Sequence, residues 1–348
     1  MQDRVCSSMP DGFRPNVLVT SHYDPDVVAS SLRELAVWAD VVDARCGRCL
    51  TEDELLEAVP GMHAVIASDE CYSSIVLERA KDLVVIARDG TGYDAIDLAT
   101  ANNLGILVTL SPVLHAATAN TTIGLMIALV RKIAQADRDI REGRWNQRDR
   151  WLAPDLTGMT LGVVGFGQVG QEVARRALAM GMTVVVCNRS DATATASRMG
   201  AKAIALEDLL AQADIVSAHL RHTESTDRLF NAARFAAMKR GAYFINTARG
   251  GLVDEAALAE ALASGHLAGA ALDVFAQEPA EPGHRLLGFD NVLCTPHFAG
   301  DTTTTMALAM TTAVQQIADC LAGRRPGHLV NPETWDHGRV GEIKKNCQ

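Results

Sequence analysis

Short unbroken apolar runs alternate along this chain with longer stretches in which apolar residues recur every three or four positions. The first hundred or so residues hold such runs at Val17–Thr20, Ala64–Ala67, Leu83–Ala87 and Ile106–Val108. A strand buried on both faces reads as a continuous apolar run, so each is predicted to be a strand of a parallel sheet. Helix signals lie between them. Asp24-Pro25 sets a capping side chain and a first-turn proline ahead of a helix over Val27–Val37. Thr51-Glu52-Asp53-Glu54 has capping-box spacing, and Pro60-Gly61 stops the short helix that it opens. Ile75–Ala80 reads as another helix.

A long apolar helix is predicted over Ala116–Arg131, followed by a polar connector with two tryptophans, Trp145–Pro154. The alternation then restarts. Strands are predicted at Thr160–Val164, Thr183–Cys187, Ile215–Ala218, Ala242–Asn246, Gly269–Val274 and Val292–Cys294. Gln168–Met180 reads as a helix, as does Glu255–Ser264, capped by Asp254 and ended by Gly265. A last helix, Thr302–Ala322, stops at Gly323. The chain is therefore expected to be α/β, with two similar units, each a parallel sheet covered by helices on both faces.

Composition narrows the class. A chain of 348 residues suggests two domains. With 48% hydrophobic and 21% charged residues it reads as an ordinary soluble protein. A net charge of −10 and no basic block argue against a nucleic-acid partner. Residues Met1–Gly12 lack the apolar core of a signal peptide. The uncharged run Thr109–Val130 contains Pro112, His115, Asn120 and several threonines, so a buried or amphipathic helix is expected there, not a membrane span. The eight cysteines are scattered, and Cys187 and Cys294 lie inside apolar strands. Cys46-Gly47-Arg48-Cys49 has no second ligand pair at a suitable spacing, so no metal site is expected. A reduced, cytoplasmic location is the expectation.

Candidate chemistry lies in the second half. Gly165-Phe166-Gly167-Gln168-Val169-Gly170 follows a predicted strand and opens a predicted helix, the setting a dinucleotide loop requires. Gly165 permits the tight turn, Gly167 lets the backbone approach a pyrophosphate, and Gly170 lets the helix press on the sheet. The next strand ends Cys187-Asn188-Arg189-Ser190 instead of in the Asp or Glu that holds the ribose hydroxyls of NAD. A carboxylate would repel a 2′-phosphate, whereas the guanidinium of Arg189 would bind it, so NADP(H) is favoured and NAD(H) remains possible. Three further apolar runs end in reactive residues: Arg249 in Asn246–Gly251, Glu278 before Pro279, and His297 after Pro296. Together they supply a carboxylate clamp, an acid partner and a proton donor, as reduction of a 2-keto acid requires.

On these residues the chain resembles the D-isomer-specific 2-hydroxyacid dehydrogenases, from Val17 to about Trp335. The resemblance is carried by Arg88–Asp97, the 165–170 loop, Asn246–Leu252, Gly269–Pro279 and Thr295–Gly300. It implies a flavodoxin-like substrate domain made of residues 1–111 and 299–348, a Rossmann-type cofactor domain of residues 112–298, and a homodimer built partly by the helix from Ala116. It further implies that Arg249 binds the substrate carboxylate and carbonyl, that His297 exchanges the proton and that Glu278 pairs with His297. The amides of Gly90, Thr91 and Gly92 would hold the other carboxylate oxygen. Thr91, Gln168, Val169, Thr247, Asp273 and Gly300 would line the cofactor, with Asp273 facing the nicotinamide amide. Departures from the family pattern are Arg221, placed beside the cofactor, Asn120 and Asp301.

The substrate expected is a small 2-keto acid, glyoxylate or hydroxypyruvate first. A 3-phosphoglycerate dehydrogenase without a regulatory domain is an alternative, weakened because Ala67-Ser68-Asp69-Glu70 offers acids to a phosphate. A formate dehydrogenase is disfavoured because the histidine's partner reads as Glu278, not glutamine. A corepressor-like dinucleotide sensor is the alternative of another class, disfavoured because only about the last 15 residues form a polar tail.

Overall fold

The computed structural model describes residues 14–21 and 23–339, apart from the side chains of residues 147 and 148. The reading of Met1–Gly12 lies outside these residues, as does much of the polar C-terminal tail. The chain divides into two units: one runs to Leu114 and resumes at Thr302, and the other is His115–Asp301.

The first unit is a five-stranded parallel sheet in the order β2-β1-β3-β4-β5. Its strands are β1 (Asn16–Val19), β2 (Asp40–Asp43), β3 (Ala64–Ala67), β4 (Val85–Arg88) and β5 (Leu107–Thr109). This is the flavodoxin-like order. Every residue of β3 and β4 is buried, as their unbroken apolar runs require. One face packs on the helices Pro25–Trp38 and Thr303–Leu321, which bring Val28, Leu35, Met310, Val314 and Ile317 onto Val17, Val19 and Val85. The returning chain also pairs with the sheet edge: Asn331 Oδ1 accepts from Val108 N at 2.9 Å, and its Nδ2 donates to Ile106 O. The signalled caps form. Asp24 Oδ1 accepts from Asp26 N, and Thr51 and Glu54 make the reciprocal capping box.

The second unit is a seven-stranded parallel sheet in the order β12-β11-β10-β9-β6-β7-β8. These are β6 (Thr160–Val164), β7 (Thr183–Cys187), β8 (Lys202–Ala203), β9 (Ile215–Ala218), β10 (Ala242–Asn246), β11 (Leu267–Leu272) and β12 (Val292–Cys294). The chain reverses its direction of strand addition between β6 and β9, which is the switch point where ligands bind in open α/β sheets. The helices His115–Val130 and Gln168–Ala179 cover one face, with Met126, Leu129, Val173 and Ala177 in a shared core.

The predicted elements form, with ends shifted by a residue or two; β11, for instance, starts at Leu267 instead of Gly269. The structure adds others. β2 is an edge strand whose sequence, Asp-Val-Val-Asp, is too polar and short to read as a strand. The helix Ile133–Arg141 follows the long helix after a break at Lys132, whose left-handed φ of 54° no Gly or Pro announces. The connector holds a 3₁₀ helix, Trp145–Trp151. Helices at Leu98–Leu104, Thr193–Met199, Leu206–Gln212 and Ala232–Ala237 are each a turn or two long, below the length at which a period can be recognised. Among the described residues no helix is long and apolar enough to cross a membrane, and no group of His, Cys, Asp and Glu could hold a metal ion.

Candidate active site

The loop after β6 is shaped by its glycines. Gly165 has φ +97°, and a Cβ there would collide with His219 O. A Cβ on Gly170 would collide with Gly165 O, so the helix seats directly on the turn. Gly167 differs: a Cβ there meets no protein atom within 4 Å. Its lack of a side chain leaves open space at the helix N-terminus, where no side chain caps Gln168–Ala179. Uncapped first-turn amides suit an anion. Close by, at the end of β9, His219 Nε2 bonds Ser217 Oγ at 2.8 Å while its buried Nδ1 has no partner among the described residues. Burial pushes the His219 imidazole down to about 4, so it is neutral at pH 7. An orphaned polar atom, an uncapped helix and a side-chain-free approach together fit a dinucleotide.

At the end of β7, Asn188 is committed within the chain. Its Oδ1 accepts from Phe166 N at 3.0 Å and its Nδ2 donates to Ser190 Oγ at 2.8 Å. It thereby ties the glycine loop to the following turn. Arg189 is exposed and makes no ion pair among the described residues. The first acid downstream, Asp191, is turned to Thr193 N at 2.8 Å. Arg221 lies on the exposed loop after β9, its carbonyl accepting from Thr226 Oγ1. Thr247 Oγ1 meets Thr122 Oγ1 at 2.8 Å, joining the loop after β10 to the long helix.

Arg249, Glu278 and His297 leave the carboxyl ends of β10, β11 and β12, neighbouring parallel strands. Buried Asn246 shapes the first loop: its Nδ2 donates to Arg249 O at 2.8 Å and its Oδ1 accepts from Ala248 N at 3.0 Å. Gly250 is obligatory, since a Cβ there would run into the Phe275 backbone of the next loop. Gly250→Ala is expected to destabilise the protein by about 1–3 kcal/mol through overpacking, which a thermal melt reads directly; an unchanged midpoint contradicts the clash.

His297 Nδ1 bonds Glu278 Oε2 at 2.6 Å, and Glu278 Oε1 accepts from Phe275 N at 2.9 Å, so the glutamate is oriented by its own loop. His297 has a left-handed φ of 51°. For a residue with a Cβ this costs about 1–3 kcal/mol, the kind of strain that accumulates at functional sites. Asp273 holds it there. Its carbonyl accepts from His297 N, and its carboxylate accepts from Thr295 Oγ1, Phe298 N and Ala299 N at 2.6 to 3.1 Å. The visible work of this buried acid is thus to fold the histidine loop. Gly300 and Asp301 close that loop, Asp301 N donating to Phe298 O.

Three residues were not singled out from the sequence. Glu255 Oε1 accepts from Ala276 N and its Oε2 meets His284 Nε2 at 3.1 Å, bracing the loop that carries Glu278. As a first-turn glutamate it reads only as a helix start. Thr122, inside the long apolar helix, and His219, just past the apolar strand β9, are the others. Asn120 accepts from Arg176 Nε at 2.8 Å, linking two helices.

In the first unit, Gly90-Thr91-Gly92 follows β4. Gly90 is buried and its carbonyl accepts from Ser111 N, whereas Thr91 is exposed.

The family model described as "D-isomer specific 2-hydroxyacid dehydrogenase, NAD binding domain" matches residues 123–299. The chain is 40% identical over 255 residues to D-3-phosphoglycerate dehydrogenase of Archaeoglobus fulgidus, across 73% of this chain and 48% of that protein. It thus spans about half the length of that relative. It is 35% identical over 329 residues to glyoxylate reductase of Aeropyrum pernix, across 92% of this chain and 97% of that one. Among solved structures it resembles the NADPH-dependent glyoxylate/hydroxypyruvate reductase of Sinorhizobium meliloti, in complex with NADP and malonate, with a TM-score of 0.80, 30% identity, and coverage of 92% and 98%. The chain belongs to the D-isomer-specific 2-hydroxyacid dehydrogenase family. The resemblance read from the motifs and the α/β fold read from the alternating strand and helix signals both stand.

Proposed function

We propose that this protein is an NAD(P)-dependent oxidoreductase that interconverts a small 2-keto acid and its D-2-hydroxy acid, with glyoxylate or hydroxypyruvate as substrate and NADPH preferred. The observation that carries the proposal is the Glu278–His297 pair at 2.6 Å, one strand over from Arg249 on a parallel sheet. A bound nicotinamide supplies or takes up the hydride. Arg249 grips the substrate carboxylate and stabilises the negative charge that grows on the keto oxygen. Since Glu278 holds Nδ1, the Nε2 of His297 is the atom that delivers the proton to that oxygen. The amides of Gly90, Thr91 and Gly92 would take the second carboxylate oxygen. Gly165, Gly167, Gln168, Val169 and Gly170 would seat the pyrophosphate, and Thr91, Thr247, Asp273 and Gly300 are the residues that would hold the nicotinamide end. Following NADPH oxidation with glyoxylate, hydroxypyruvate and pyruvate tests this reading; no turnover with any of them overturns it.

The cofactor preference rests on Arg189 and on the missing acid after β7, with Ser190 and Arg221 as further candidate phosphate contacts. Asn188→Asp combined with Arg189→Ala is expected to shift the ratio of NADPH to NADH kcat/KM towards NADH by at least about tenfold, the value of one charged contact. An unchanged ratio would remove the argument. A cytoplasmic homodimer completes the proposal. Trp145 and Leu152 are 70% and 77% exposed in the second unit, with Ile133 and Ile140 also exposed nearby, an apolar set suited to a second copy.

A further inference from the structure

We propose that Glu70, with Asp69 and the Arg88–Asp89 pair, forms the part of the substrate site that grips a hydroxyl on carbon 3 of the keto acid and turns away a phosphate there. The inference rests on the keto-acid reading above and names the substrate class within it.

β3 and β4 are neighbours, with Ala67 opposite Arg88, and Asp89 N donates to Ala67 O at 2.9 Å. The loops Ser68–Cys71 and Asp89–Gly92 therefore emerge side by side at the carboxyl ends of their strands. That is where open α/β sheets take their ligands. The second of these loops is also the one proposed to hold the substrate carboxylate.

The chemistry at this spot is unusual. Arg88 is buried, and its guanidinium is engaged by both Asp69 and Asp89. Glu70 is only 1% exposed, and Ser68 N donates to its Oε2 at 2.8 Å. Its other oxygen, Oε1, is buried with no hydrogen-bond partner among the described residues. The hydroxyl of Ser21, at the end of β1 beside β3, is likewise buried with no partner among the described residues. A buried carboxyl oxygen left unpaired costs about 1–3 kcal/mol, so the arrangement suits a polar group, such as a hydroxyl, that can donate or accept and is supplied by a ligand. Burial pushes the Glu70 carboxyl up to about 7, with Asp89 adding to the shift and Arg88 opposing it. Asp69 and Asp89 both engage one guanidinium, so the group accommodated beside Glu70 is polar and carries no negative charge. A hydroxyl meets that description; a phosphate dianion is repelled.

The test compares kcat/KM with NADPH for hydroxypyruvate, for pyruvate, which lacks only the hydroxyl, and for 3-phosphohydroxypyruvate. The wild-type protein is expected to favour hydroxypyruvate over pyruvate by about 10²-fold or more, as sites built around a substrate hydroxyl do. It should favour it over the phosphorylated acid by at least as much. Glu70→Met is expected to lower the hydroxypyruvate-to-pyruvate ratio at least about tenfold. Glu70→Gln, of nearly the same shape, keeps the test open should the methionine variant not fold; its ratio should fall several-fold. A wild-type ratio near one, a ratio untouched by either substitution, or efficient use of 3-phosphohydroxypyruvate overturns the assignment while leaving the keto-acid reading intact. Failure to reduce any of the three sinks both.

Discussion

Replacing His297 by alanine is expected to lower kcat by about 10²–10⁴-fold, the usual worth of a positioned proton donor, while NADPH affinity changes no more than a few-fold. The split follows from geometry. The imidazole is oriented by Glu278 through Nδ1 at 2.6 Å, whereas the glycine loop and Asn188, proposed to seat the dinucleotide, follow β6 and β7. The substitution also leaves the backbone hydrogen bond from residue 297 to Asp273 O in place. Cofactor titration by fluorescence and steady-state turnover on the same preparation measure the two halves. An equal loss of both would make His297 a structural residue.

Arg249 carries the second large effect. Arg249→Gln removes the charge that, in the proposed reaction, both binds the carboxylate and meets the developing oxyanion. A fall of about 10²–10³-fold in kcat, with a higher KM in addition, is expected. Arg249→Lys restores the charge but not the planar fork, so it should recover only part of the loss. Because the loop is set by Asn246 holding the Arg249 carbonyl and by Gly250 lying on Phe275, both variants should keep their fold. A rise in KM with kcat unchanged would limit Arg249 to binding.

The sequence made the inner strands legible because they are buried on both faces and carry unbroken apolar runs, as β3, β6 and β10 do. The candidate reactive residues could be picked out for a related reason: each follows such a run within a few residues, so the strand end that places it can be read. Edge elements were not. Asp40–Asp43 and Lys202–Ala203 face solvent, and their pairing depends on neighbours distant in sequence. The supporting hydrogen bonds were equally hidden, since Asp273, Glu255 and Asn188 act through backbone amides whose positions only the folded loops define. Glu70 shows the limit best. Its sequence neighbours made the loop look acidic, but only the fold shows one of its oxygens buried and unmatched among the described residues.

The most direct test of the central claim is a crystal structure of the complex with cofactor and oxamate, a non-reacting analogue of a 2-keto acid. The account predicts the Arg249 guanidinium and His297 Nε2 both within about 2.6–3.2 Å of the same oxamate carbonyl oxygen, in hydrogen-bond reach. Oxamate bound with that oxygen facing neither residue, or only one of them, would contradict it.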